Sequence, residues 1–140
     1  MNTIKNFKEW RAEEIAKLFL LKSTYPLIIE KFPAPIFDLF ITLKKKPKVK
    51  FAVEVKEESK FNKSIEQLLK NVRPYFAENM VNIPVLIFKI NEEKETGELD
   101  FLITSSRKGE ELKVNDNFNF KRLSPDNLDA FIEKIENWWT

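Results

Sequence analysis

The chain has 140 residues, 43% of them hydrophobic, which suits one domain built around a hydrophobic core. It contains neither Cys nor His, which excludes disulfides, thiolate metal sites, Ser-His-Asp triads and His-based metallohydrolases. The formal net charge is only +2, there is no apolar run of about 18 residues, and the first residues lack the basic-then-apolar layout of a signal peptide, so a cytoplasmic setting without a membrane is expected.

Asn6–Lys22 has helical periodicity. Phe7, Trp10, Ile15, Leu18, Phe19 and Leu21 recur at helical spacing and are expected to face the core. Glu9, Glu13 and Lys17 fall toward the polar side. Glu14 falls on the edge of the apolar stripe, where an acid costs desolvation unless it is paired. Tyr25–Phe32 is a candidate edge strand, with Pro26 at its start. Pro33-Ala34-Pro35 makes a stiff connector into the next element.

The stretch from Asp38 to Lys56 (DLFITLKKKPKVKFAVEVK) has the pattern of two strands folded back around a basic turn. Ile36–Leu43 is apolar and rich in β-branched and aromatic residues. Val49–Lys56 alternates, with Phe51, Val53 and Val55 on one face and Ala52, Glu54 and Lys56 on the other. A hairpin symmetric about Lys46 sets Thr42 against Lys50, Phe40 against Ala52 and Asp38 against Glu54. Opposed residues have Cβ atoms roughly 4.5–5.5 Å apart, so two carboxylates there repel unless something compensates them. A divalent metal is the usual compensation, and hard oxygen ligands suit Mg²⁺. Lys56, two residues beyond Glu54, projects from the same face. The turn itself carries Lys44, Lys45, Lys46, Lys48 and Lys50. This lysine cluster has two readings: a phosphate-contacting finger beside the metal, or a solvated turn whose charges protect a sheet edge.

Asp38 and Glu54-Val55-Lys56 resemble the acid and the ExK element of the PD-(D/E)xK nuclease superfamily, with Ile36-Phe37-Asp38 in place of the "PD" element and Phe37 where the family often has Pro. The separation of 16 positions between the acids is ordinary for that family. The resemblance implies an α/β fold, the restriction-endonuclease-like mixed β-sheet flanked by α-helices. It implies Mg²⁺-dependent hydrolysis of DNA phosphodiesters, with Mn²⁺ as a substitute ion. Asp38, Glu54 and the main-chain carbonyl of Val55 would hold the metal, and Lys56 would orient the attacking water or stabilise developing charge. Glu14 matches the first-helix glutamate that many members carry into the active site, and Gln67 matches a polar residue on the helix after ExK. The resemblance leaves RNA open as a substrate and a homodimer open as the assembly. The alternative is a non-catalytic module on the same fold, binding nucleic acid or protein.

Downstream, Glu57–Asn62 is a polar linker and Ser64–Val72 a helix with Ile65, Leu68, Leu69 and Val72 on one side. Pro74 is expected to break or restart that helix. Ile83–Ile90 is a nearly continuous apolar run, the pattern of a strand buried on both faces, and a crossover would make it parallel to Val49–Lys56. Asn91–Gly97 is a turn and Leu99–Thr104 another strand. "PYF…NIPVLIF" also resembles a branch of uncharacterised bacterial nuclease-like domains, which widens the resemblance to roughly residues 9–104. Ser105–Asn117 is polar and irregular, and Phe118–Arg122 has the pattern of a short strand. Ser124-Pro125-Asp126 is a helix start, with Leu128, Phe131, Ile132, Ile135, Trp138 and Trp139 following at helical spacing.

Overall fold

The structure, a computed structural model, describes residues 6–79, 83–102 and 117–140. The expected loop over Ser105–Asn117 lies almost entirely outside the described residues. The described residues form an α/β fold: a six-stranded mixed sheet flanked by three α-helices. The elements are α1 (Phe7–Leu21), β1 (Leu27–Lys31), β2 (Leu39–Leu43), β3 (Lys46–Glu57), a single 3₁₀ turn (Glu58–Lys60), α2 (Phe61–Asn79), β4 (Val85–Asn91), β5 (Thr96–Phe101), β6 (Lys121–Arg122) and α3 (Pro125–Trp139).

The strands lie in sequence order, and all neighbours are antiparallel except β3 and β4, which are parallel and joined through α2. That matches the expected crossover. The register of β2 on β3 also matches for Phe40 with Ala52 and Thr42 with Lys50. The reversal is tighter than expected. Leu43 pairs with Lys46, and the register shifts between Thr42 and Leu43, so Pro47 falls in an irregular stretch outside the paired positions, a context in which a sheet tolerates it.

Alternation along β3 assigns the two faces. Val49, Phe51 and Val53 pack with Ala12, Ile15, Ala16 and Leu20 of α1 and with Leu128, Phe131, Ile132 and Ile135 of α3. Ala52 lies on the other face, with Ile65, Leu68, Val72 and Phe76 of α2. β4 runs through the middle, and Val85, Leu86, Ile87 and Phe88 are all fully buried, as the unbroken apolar run implied.

Two helices depart from expectation. In α1 the core face is Ala12, Ile15, Ala16 and Leu20, whereas Phe7, Trp10, Leu18 and Leu21 are exposed. Two alanines let the helix approach the sheet closely, and that contact outweighs the larger residues on the opposite side. α2 is one continuous helix from Phe61 to Asn79 and runs through Pro74. The apolar stripe Ile65–Leu68–Val72–Phe76 continues past the proline, which sits on the exposed side, as does Lys70, the residue whose carbonyl it leaves unbonded.

Local caps hold the helix ends in place. The Asn6 side chain accepts a hydrogen bond from the Glu9 amide at 2.9 Å and donates to the Glu9 carboxylate at 3.1 Å. Ser124 caps α3 by accepting from the Asn127 amide at 3.2 Å, with Pro125 next, as expected. Asp129 of α3 ties down the exit of α1. Its carboxylate accepts from the Ser23 hydroxyl at 2.6 Å and the Thr24 hydroxyl at 2.7 Å. Trp139 is partly buried between both cores, and its indole N–H donates to the Lys50 carbonyl at 2.8 Å. No helix among the described residues is long and apolar enough to cross a membrane.

Candidate functional site

The site lies where β2 begins and β3 ends. Asp38 sits in a bend just before β2, yet its backbone is held on both sides. Its N–H donates to the Val53 carbonyl and its carbonyl accepts from the Phe32 amide, each at 3.2 Å. The regular register ends at Leu39 opposite Val53, so Asp38 is not a ladder partner of Glu54 as expected; these bonds instead fix it beside β3 and aim its side chain across at that strand. Oδ2 of Asp38 accepts from the Val55 amide at 2.8 Å.

Glu54 is buried in the sheet, 5% exposed, and its carboxyl hydrogen-bonds Asp38. Burial pushes its pKa well above the ordinary glutamate value, and the Asp38 hydrogen bond and negative charge push it the same way; Lys56 pulls it down. Two carboxyl groups held this close repel when both are ionised, so without a cation the pair favours holding one proton between them. Lys56 Nζ lies 3.4 Å from Glu54 Oε2, with the lysine mostly buried.

Asp38, Glu54, Val55 and Lys56 line one cavity of about 220 Å³. Its remaining walls are Glu9, Ala12 and Glu13 from α1, Glu57 at the end of β3, Lys60 from the 3₁₀ turn and Ser64 from α2. Glu14 is not among them. It lines a wider neighbouring depression and pairs with Lys17 at 3.6 Å on the exposed side of α1. The rotation of α1 described above turns Glu13 inward in its place. Gln67 is exposed and lines a shallow depression on the α2 side that also touches Glu54 and Lys56. The tip of the lysine turn sits at the opposite end of β3, with Lys46 roughly 26 Å and Lys50 roughly 13 Å from Glu54 at the usual strand rise, so neither the tip nor Lys50 is part of this cavity. There Lys46 pairs with Glu136 at 2.7 Å.

The sequence reading missed Glu57, Glu13, Lys60 and Ser64. Glu57 is 6% exposed, its Oε1 has no hydrogen-bond partner among the described residues, and Oε2 lies 3.7 Å from Lys60. Its signal was weak, because a glutamate directly after a strand usually begins a solvated linker.

The residues fit a divalent cation. Among the described residues no group of three Asp or Glu side chains converges tightly enough to hold an ion alone. Mg²⁺ does not need three, because it commonly binds through one or two carboxylates and keeps several waters. Asp38 and the buried Glu54 would supply those carboxylates, and a cation in place of a proton between them would relieve their repulsion. A scan against protein-family models and searches of curated proteins and of solved structures find no match.

Proposed function

We propose that this chain is a metal-dependent nuclease that hydrolyses DNA phosphodiester bonds on a restriction-endonuclease-like fold. The observation that carries the reading is the pairing of the buried Glu54 carboxyl with the half-buried Asp38 carboxyl, with Lys56 against it, at a polar cavity on the end of a central strand. Asp38 and Glu54, with the Val55 carbonyl, would hold the cation. When bound, the cation supplies Lewis acidity and neutralises charge at the scissile phosphate.

The chain's own residues do the remaining work. The Val55 N–H holds the Asp38 carboxylate in one orientation, so the ligand position is set before substrate arrives. Lys56 is mostly shielded from solvent, which makes its charge act strongly on the negative charge that develops at phosphorus. Lys60, paired with Glu57 at 3.7 Å, adds a second positive group on the cavity wall, and the neighbouring depression carries Lys63 and Lys89 beside Glu58, with Lys89 paired to Glu98 at 3.1 Å.

The test is cleavage of supercoiled plasmid, linear duplex and single strand in Mg²⁺ or Mn²⁺. The account expects cleavage by the wild type, none by Asp38→Asn or Glu54→Gln, and a loss of about 10²–10³-fold or more for Lys56→Met. Intact DNA in all three substrates, or cleavage that survives both acid substitutions, would overturn it. The domain would then be read as a binding module on the same fold.

A further inference from the structure

α1 carries a second apolar face that nothing among the described residues covers. Phe7 is 70% exposed, Trp10 50%, Leu18 58% and Leu21 68%, and Phe7 and Trp10 already touch, with ring centroids 5.8 Å apart. At 100° per residue these four, with Glu14 and Lys17, fall in one stripe about 100° wide, opposite the face that packs on the sheet. A helix that is apolar on both faces is normally buried on both, and a continuous exposed stripe marks an interaction surface.

The stripe has an internal order. Aromatics occupy its N-terminal end, leucines its C-terminal end, and Glu14 and Lys17 sit between them. We infer that this face of α1 docks against the same face of a second copy of the chain, with the two helices antiparallel. Reversed on itself about a point between Glu14 and Lys17, the stripe sets Glu14 of each copy against Lys17 of the other. Trp10 of each copy then meets Leu21 of the other. A parallel arrangement instead sets Glu14 on Glu14 and Lys17 on Lys17. The antiparallel pairing is self-complementary, as a two-fold interface requires, and it also opposes the helix dipoles favourably.

Fifteen residues of helix span only about 22 Å. A seam that long and one helix wide is smaller than a standard stable interface, so self-association belongs in the micromolar range. Trp10, Glu14 and Lys17 also line the wide depression that holds Asp38 and Glu54. A second copy seated on the stripe therefore forms one wall of the approach to the cavity. The inference stands on α1 alone and does not depend on the chemistry proposed for the cavity.

The test is sedimentation of the full 140-residue chain over a concentration series. A reversible dimer is expected. Glu14→Lys and Lys17→Glu should each weaken it roughly tenfold, because each creates two like-charge contacts per dimer. Mixing these two single variants should restore wild-type affinity as a heterodimer, because one copy then carries two lysines and the other two glutamates. The double exchange Glu14→Lys/Lys17→Glu should also self-associate like wild type. Circular dichroism on each variant checks that the surface changes leave the fold intact. A monomer at every concentration would overturn the inference and leave the stripe to a different partner. A dimer unaffected by either single change, or one not restored by mixing, would overturn the antiparallel seam.

Discussion

Replacing Glu54 by Gln should stabilise the metal-free protein at neutral and alkaline pH. The substitution keeps the shape of the side chain and removes the charge. The amide introduced by Glu54→Gln can donate to the Asp38 carboxylate without a proton having to be bound first, and a buried hydrogen bond to a charged group contributes about 1.5–3 kcal/mol. In the wild type the corresponding bond depends on pH. The folded-state pKa of Glu54 is raised above its ordinary value of 4.5, first by burial and then by Asp38. Its contribution is therefore fully present below that ordinary value and is lost as pH rises through the raised one. Lys56 opposes the shift but does not reverse it. The assay is urea unfolding followed by tryptophan fluorescence, in EDTA, as a series of pH values rising from the ordinary Glu54 value of 4.5. Wild type should lose stability across the upper part of that range while Glu54→Gln loses less, with the gap widening to about 1.5–3 kcal/mol. Two parallel curves, or a variant that is less stable than wild type at the alkaline end, would refute the shared-proton description of the pair.

Three further outcomes follow from the fold. Pro74→Ala should raise stability by about 1–2 kcal/mol in thermal or urea unfolding, because an N–H returns to an exposed helix interior and part of that gain is offset by a freer unfolded chain. Asp129→Ala should cost about 1–2 kcal/mol by the same measurement, because the α1 exit loses its bonds from Ser23 and Thr24. Tyr25 is pushed up to about 12 by burial and by its hydrogen bond to Glu136, so ultraviolet titration should show one tyrosine ionising near that value, and Glu136→Gln should bring it down.

The hairpin at the centre of the sheet was legible because alternation along Phe51–Lys56 allows only one register, and a slip by one residue would have sent Phe51 and Val53 to the wrong face. β4 was legible because few other elements need so unbroken an apolar run. α1 misled because apolar residues surround it. The larger ones, Phe7, Trp10, Leu18 and Leu21, suggested a core face, while the small Ala12 and Ala16 that permit close approach to the sheet carry little weight in a periodicity count. That phase error moved the inward-facing acid from Glu13 to Glu14. Pro74 misled for a different reason: the rule against proline in helices is relaxed where the freed carbonyl can face water, and local sequence does not reveal that exposure. Asp38, Glu54, Val55 and Lys56 were legible as a group because strand spacing alone brings them together, whereas Glu57, Lys60 and Ser64 join them only through the way the chain turns from β3 into α2.

Calorimetric titration of Mg²⁺ and Mn²⁺ into the wild type, Asp38→Ala and Glu54→Ala tests the proposed metal site directly. The account predicts one site in the wild type, proton release on binding as the Asp38–Glu54 pair gives up its shared proton, and loss of binding in both variants. No binding by the wild type at millimolar metal with DNA present, or binding that survives both substitutions, would contradict it.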